Sequence, residues 1–352
     1  MPSPTNRAVI AAAGSRKTQL LIDAALADPT RRVLITTYTQ ENLAQITRRI
    51  LQVTGVMPSH VTVMGWFSFL ISQTAKPFQH HLVGQIDYIR SLNFVGSRPR
   101  FTRQSNTLAY YFDQHGDMYR DGVADFACRA DEAASGAVVR RLEAMYDCIF
   151  IDEFQDLVGY DLDLVERLFR SKIEVTVVGD PRQHTFATNN GPRNKKYRGA
   201  GIMAWLTLHR TLCALDLRTD SWRCNQQICD WSDRLYPNMP ATTSRNHAAT
   251  GHDGIFQIAP DDITAYVAKY QPQILRDRRT ADTRGLAALN IGLSKGSTYP
   301  RILIFPTKPM LKYLKTGDLA TLTATDRLYV AVTRAEHSVA FVVDRRDADY
   351  IP

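Results

Sequence analysis

The chain has 352 residues, 44% hydrophobic and 22% charged, the proportions of a globular protein with room for two or three domains. Its 43 Lys and Arg against 35 Asp and Glu leave a net charge of +8, which favours polyanionic partners and says nothing about fold. No apolar run approaches a membrane span, the stretch at Ala8–Ala13 is too short for a secretory core, and five cysteines without a CxxC pair point to reduced thiols in a cytosolic protein.

Arg7–Ala13 predicts a strand and Lys17–Leu26 a helix with apolar residues at helical spacing. Between them runs Ala11-Ala-Ala-Gly-Ser-Arg-Lys17-Thr18. Such a loop can cradle phosphate: the backbone from Ala13 through Gly14, Ser15 and Arg16 and the helix N-terminus face the anion, Lys17 reaches the outer phosphates and Thr18 ligates Mg²⁺. The phosphate-loop pattern expects glycine where Arg16 stands, so the arginine either contacts phosphate or distorts the loop. An ordinary strand-to-helix turn is the alternative.

Arg32–Thr39 reads as a strand ending in hydroxyls and one aromatic, Tyr38, followed by a helix through Ile50. A third strand, Val61–Met64, runs into Gly65-Trp66-Phe67-Ser68-Phe69. Aromatics and hydroxyls at strand ends suit stacking on bases and bonding to phosphates, with core packing the alternative for Trp66 and Phe69. Residues 71–146 are less regular, and their first part carries Lys76, Arg90, Arg98, Arg100 and Arg103 against Asp87 alone.

The apolar run Cys148–Ile151 ends abruptly in Asp152-Glu153-Phe-Gln-Asp156. Carboxylates at the carboxyl edge of an α/β sheet lie where ligands bind. Asp152 can hold Mg²⁺ through its water shell, and Glu153 can orient or deprotonate an attacking water; a solvated acidic turn is the alternative. Glu174–Asp180 predicts another buried strand, followed by Pro-Arg-Gln183-His-Thr-Phe186. From Pro181 to Leu215 there are six Lys or Arg and no acidic residue, so this loop should neutralise phosphates and make affinity fall with salt. A flexible solvated loop is the other reading. Leu215 opens a second α/β domain containing Ser221-Trp222-Arg223-Cys224, then Lys295-Gly296 before a strand at Arg301–Phe305. The apolar Leu328–Val332 reads as a buried strand before Arg334, and Val339–Val343 as the closing strand. No metal-ligand cluster stands out among the nine His.

Taken in order, AAAGSRKT, TTYTQENLAQITRRI, GWFSF and IDEFQD resemble the P-loop, TFTNKAA-like, TFHSF-like and DExQD segments of UvrD/Rep/PcrA-type superfamily 1 helicases. GDPRQHTF is similar to the family's GDxxQSIY, Tyr197-Arg198-Gly-Ala to its W/F-R-G-A, SWRC to its NYRS, and LYVAVTRA to its signature near the end. Lys295-Gly296 resembles KGLEFD, with Thr298 where Glu is expected. The resemblance implies an α/β fold of two RecA-like P-loop NTPase domains with parallel sheets. The first spans residues 1–212 with a reduced helical insertion at about 71–146, the second spans 213–352, and the large 2B insertion is missing.

It also implies roles. Lys17, Asp152, Glu153, Gln183, Arg223 and Arg334 would act on ATP at an interdomain cleft, with Gln183 sensing the γ-phosphate and both arginines touching it. Trp222 would stack on adenine and Gly296 lie beside the nucleotide. Tyr38, Thr39, Trp66, Phe67, Phe186, Tyr197 and Arg198 would contact single-stranded or partly duplex DNA, Phe67 replacing the family's His. The activity implied is Mg²⁺-dependent 3′→5′ translocation or unwinding. Two alternatives stand beside it: an NTPase subunit of a bacterial antiphage system that needs a partner nuclease, and a non-catalytic nucleic-acid-binding module with ATP as a structural ligand.

Overall fold

The computed structural model describes residues 5–84, 88–99 and 101–350, so Asp87 and Arg100 of the basic stretch lie outside the described residues. The chain divides into two compact units, Met1–Ile10 with Lys17–Asp216 and Ala11–Arg16 with Leu217–Pro352. Among the described residues no helix is long and apolar enough to cross a membrane, and all five cysteines are free and buried.

The first unit is built on β1 (Asn6–Ala11), β2 (Val33–Thr37), β3 (Val61–Gly65), a two-stranded ribbon of β4 (Leu92–Asn93) and β5 (Met118–Tyr119), β6 (Cys148–Ile151), β7 (Glu174–Gly179) and β8 (Cys213–Arg218). Six of these form one sheet in the order β3-β2-β6-β7-β1-β8. The β2–β3, β2–β6, β6–β7 and β7–β1 pairs are all parallel. Burial explains why these residues are strands: β2 and β6 are buried at every position, as a parallel sheet covered on both faces requires. Leu215 therefore lies on an edge strand of this first sheet.

At the amino end of the sheet, one amide joins three segments. The Asn6 side chain donates to the carbonyls of Phe169 (2.8 Å) and Leu212 (2.9 Å) and accepts from the Val175 N–H (3.0 Å). The insertion is mainly helical, with Thr107–Tyr111, Val123–Ala133 and Ala137–Met145 as its α-helices after residue 100, and Tyr111 and Phe112 meet Phe126 edge-on in its core.

The second unit pairs β9 (Asp220–Ser221) with β10 (Thr243–Ser244) and builds a parallel sheet from β11 (Gly254–Ile258), β12 (Gln273–Arg276), β13 (Leu289–Asn290), β14 (Tyr299–Phe305) and β15 (Ala335–Val342), in the order β11-β15-β14-β12-β13. Alternation along β14 sends Ile302 and Ile304 into one core and Leu303 and Phe305 into the other. The two units are thus α/β bodies with parallel sheets.

Two expectations are corrected here. Leu328–Val332 is the second half of an α-helix, Thr325–Val332, buried at all five positions, so its hydrophobic pattern carries no period with which to tell helix from strand. The last strand is where the sequence puts it but runs from Ala335 to Val342 rather than from Val339 to Val343, and it pairs with both β11 and β14.

Packed on β11, His252 lies between the rings of Phe256 (4.0 Å) and Tyr270 (3.8 Å), and its Nε2 shares a hydrogen bond with the Tyr266 hydroxyl (2.9 Å). Burial, with the charge of Arg301, pushes its pKa down from 6.5 to about 4. The unfolded chain therefore takes up a proton below about 6.5 that the folded chain refuses, and stability falls as pH drops from 6.5 towards 4. Urea unfolding of wild type and His252→Phe across that range should show the wild-type midpoint falling more steeply; parallel curves would contradict this account.

Candidate functional site

The site begins where β6 runs out. The Asp152 N–H donates to the Thr36 carbonyl (2.8 Å), which carries the sheet one residue further and leaves the side chain only 3% exposed. One carboxylate oxygen accepts from the Glu153 N–H (2.9 Å), the other from the Thr18 hydroxyl (2.8 Å) in the first turn of the helix Lys17–Leu26. Burial and the neighbouring Glu153 charge push the Asp152 carboxyl up to about 6, against the pull of the Thr18 bond and of Lys17.

Glu153 has a left-handed backbone (φ 56, ψ 41), a conformation that costs a residue with a Cβ about 1 kcal/mol. Its carboxylate accepts from Asn42 (3.1 Å) and Gln155 (2.5 Å). Gln155 in turn accepts the N–H of Asp180 (3.0 Å), just past β7, and Asp180 takes bonds from Arg182 (2.8 Å) and Gln183 (2.8 Å). Burial would raise the Asp180 carboxyl, but the charges of Arg182 and Lys17 outweigh it and hold it below the usual range. A continuous polar network therefore runs from Thr18 through Asp152, Glu153 and Gln155 to Gln183.

Among the described residues there is no cluster of three or more His, Cys, Asp or Glu that could hold a metal. The donors present suit Mg²⁺ bound through few protein ligands and substrate phosphates. Two adjacent ligands of one octahedral Mg²⁺ stand about 3 Å apart, close to the separation of the Thr18 and Asp152 oxygens. Sequence reasoning missed Asn42, Gln155, Asp180 and Arg182. Each lies inside a quoted motif segment, but only the fold makes them partners of Glu153 and Gln183.

In the second unit, the Ala12 N–H donates to the Arg218 carbonyl (2.9 Å) and the Trp222 N–H to the Gly14 carbonyl (2.9 Å). Gly14 has φ +77, and a Cβ there would fall 2.6 Å from Arg223 Cβ, so only glycine fits. The Ser15 hydroxyl is buried without a hydrogen-bond partner, an orphan that a phosphate oxygen would satisfy. Arg16 lies over the Trp222 ring, 4.1 Å from its centre. Arg223 donates to the Thr333 carbonyl (3.0 Å), while the buried Arg334 donates to the carbonyls of Val330 (3.1 Å) and Ser297 (3.4 Å), so both arginines sit at the C-terminal end of the helix Thr325–Val332. Lys295 is buried and Gly296 takes φ +86.

The aromatic residues divide. Tyr38 meets Phe67 (5.9 Å) and Phe186 (6.3 Å), and Phe67 meets Phe94 edge-on (5.4 Å). They line a cavity of about 770 Å³ that also touches Thr39 and Ser68. Phe94 is 55% exposed and comes from the insertion; no motif marks it. Trp66 is corrected: it is 1% exposed and its indole N–H donates to Asp161 (2.8 Å), which makes it part of the core. Thr39 caps the helix Gln40–Thr54, accepting from the Asn42 N–H.

The basic loop is also corrected. Arg182 is buried against Asp180, Arg193 pairs with Asp163 (2.5 Å) and Arg198 donates to the carbonyls of Asn189 and Gly191. Lys195, Lys196 and Arg210 remain exposed, Lys196 lying 4.9 Å from the Tyr197 ring centre. The acidic partners stand outside residues 181–215, Asp180 next to the stretch and Asp163 on the helix Tyr160–Phe169, so a local charge count overlooks them.

Residues 90–193 match the family model of the UvrD/REP helicase N-terminal domain. That stretch contains Asp152, Glu153, Gln183, Phe94 and Phe186. Among solved structures, the crystal structure of Arterivirus nonstructural protein 10 (helicase) is 16% identical over 98% of this chain and 62% of that one, with a TM-score of 0.49. The same helicase in complex with DNA is 14% identical over 96% and 61%, also at 0.49. The chain thus spans about three fifths of the length of those helicase chains. No curated protein matches the chain by sequence.

Base–aromatic stacking is worth about 1–3 kcal/mol per base. Phe94→Ala and Phe67→Ala should each weaken binding of a fluorescent single-stranded oligonucleotide by about tenfold or more, with little change in melting temperature. Trp66→Ala should do the reverse, lowering the melting temperature first, as loss of a buried Trp does at about 3–5 kcal/mol.

Proposed function

We propose that this chain, a relative of the UvrD/REP superfamily 1 helicases, is an ATP-dependent motor on single-stranded DNA. The observation that carries the reading is the Thr18–Asp152 hydrogen bond joined, through Glu153 and Gln155, to Asp180 and Gln183. Lys17 binds the outer phosphates. Thr18 and Asp152 would hold Mg²⁺, which when bound would neutralise charge on the phosphate oxygens. Glu153, kept in place by Asn42 and Gln155, orients the attacking water and accepts its proton. Arg223 and Arg334 are assigned to the charge on the transferring phosphoryl group, with Trp222 as the adenine platform.

Gln183 and Phe186 share one short segment after β7. A change at the γ-phosphate felt by Gln183 is thereby passed three residues on to a wall of the aromatic cavity. Tyr38, Phe67 and Phe186 grip a base, and the grip alternates as ATP is bound and hydrolysed. Polarity 3′→5′ follows from the resemblance alone.

Lys17→Ala should reduce DNA-stimulated ATP hydrolysis by about 100-fold or more, the scale of losing a main phosphate contact. Glu153→Gln should still bind ATP yet hydrolyse it about as slowly. A flat zero for wild type, with and without DNA, would leave a binding module; hydrolysis without strand displacement would favour a motor needing a partner. The pH profile is a further check. Because the Asp152 carboxyl is raised to about 6, protons compete with the cation below that value, so activity should fall as pH drops through about 6 and recover in part with more Mg²⁺. A profile insensitive to Mg²⁺ would sink this assignment.

A further inference from the structure

We propose that Arg16 makes the base platform answer to the triphosphate: without nucleotide its guanidinium covers one face of Trp222, and the phosphates draw it away. The inference rests on reading Ala11–Thr18 as the phosphate loop and Trp222 as the surface on which the nucleobase stacks.

Arg16 has φ +62, the left-handed conformation that glycine adopts freely. The loop therefore keeps the path a glycine would give it and gains one long cationic arm. That arm lies on Trp222, its guanidinium carbon 4.1 Å from the ring centre. A ring stacked on the same face needs about 3.5 Å of clearance to the indole, so base and guanidinium exclude each other there. The placement is built in: the Trp222 N–H is bonded to the Gly14 carbonyl, and Gly14 approaches Arg223 and Ser221 too closely for any side chain. Platform and loop thus sit at a fixed spacing, two residues from the arm that bridges them.

The competition between the two positions of Arg16 is decided by charge. Trp222 is 49% exposed, and a cation–π contact at such a ring is weak. A guanidinium paired with phosphate oxygens is stronger, with two parallel charge-assisted bonds available. Arg16 is the residue before Lys17, so phosphates held by Lys17 come within its reach. Phosphate capture then precedes base stacking, and nucleosides, which have no phosphate to offer, find the platform covered. Arg16 is a positioning residue in this scheme, and the glycine pattern it breaks has been exchanged for an order of events.

Trp222 is itself the reporter, with Trp222→Phe giving the background from Trp66, Trp205 and Trp231. The full-length chain is titrated with inorganic triphosphate plus Mg²⁺, and separately with adenosine. Binding is followed by calorimetry and the Trp222 signal by fluorescence, in wild type, Arg16→Gly and Arg16→Lys. Glycine relieves the left-handed backbone, so that variant folds at least as readily as wild type. Triphosphate should shift the Trp222 emission in wild type, more weakly in Arg16→Lys, and not in Arg16→Gly. Adenosine should bind Arg16→Gly about three- to sixfold more tightly than wild type, the ratio by which removing a competing contact of about 0.5–1 kcal/mol raises affinity. Triphosphate that binds without moving the Trp222 signal, or adenosine that binds wild type and Arg16→Gly equally, overturns the proposal alone. Triphosphate that binds none of the three overturns the phosphate-loop reading and the proposal with it.

Discussion

A carboxylate buried at the end of a hydrophobic strand is the constraint to which the first unit is fitted. Asp152 cannot be solvated by water at 3% exposure, so the chain supplies its partners from elsewhere: a hydroxyl from the helix after β1, and the backbone N–H of the next residue. These do not neutralise it, and burial together with the Glu153 charge keeps its proton affinity high. The sheet order extends the cluster, since β7 between β1 and β6 brings Asp180 within bonding reach of it.

The network also explains why the polar residues around it cannot be exchanged one at a time. Gln155 holds Glu153 with its amide and Asp180 with its carbonyl, so the Glu153 carboxylate and the segment carrying Gln183 and Phe186 are set by a single side chain. Asn42 does the equivalent from the start of the helix Gln40–Thr54, next to Tyr38 and Thr39. Residues of the polar network thus stand three or four positions along the chain from residues of the aromatic cavity, Asn42 from Tyr38 and Thr39 and Gln183 from Phe186.

Much of this was legible because it is local. Lys17–Leu26 and Cys148–Ile151 run between the residues their patterns indicated, since a short apolar run ended by charge and a helix opened by Lys-Thr are both decided by neighbours in sequence. The helix after Thr39 continues four residues beyond Ile50, to a Gly55 cap. What escaped depended on the third dimension. Uniform burial erased the period of Leu328–Val332. Trp66 looked like a stacking residue until Asp161 was seen to hold its N–H. Two of the six cations of the one-signed loop are paired with Asp163 and Asp180, and a third, Arg198, is tied to two carbonyls. Phe94 joined the aromatic cavity from a stretch with no motif at all.

The crowding at Gly14 has a practical consequence for anyone who would retune this protein. Any side chain at position 14 collides with Arg223 and Ser221, so a substitution there forces that segment to shift. Two residues along, Arg16 is exposed but lies on the Trp222 ring, and its left-handed backbone favours glycine over other replacements. Within one turn of chain a position closed to any side chain and a cationic arm laid on an aromatic ring stand almost side by side.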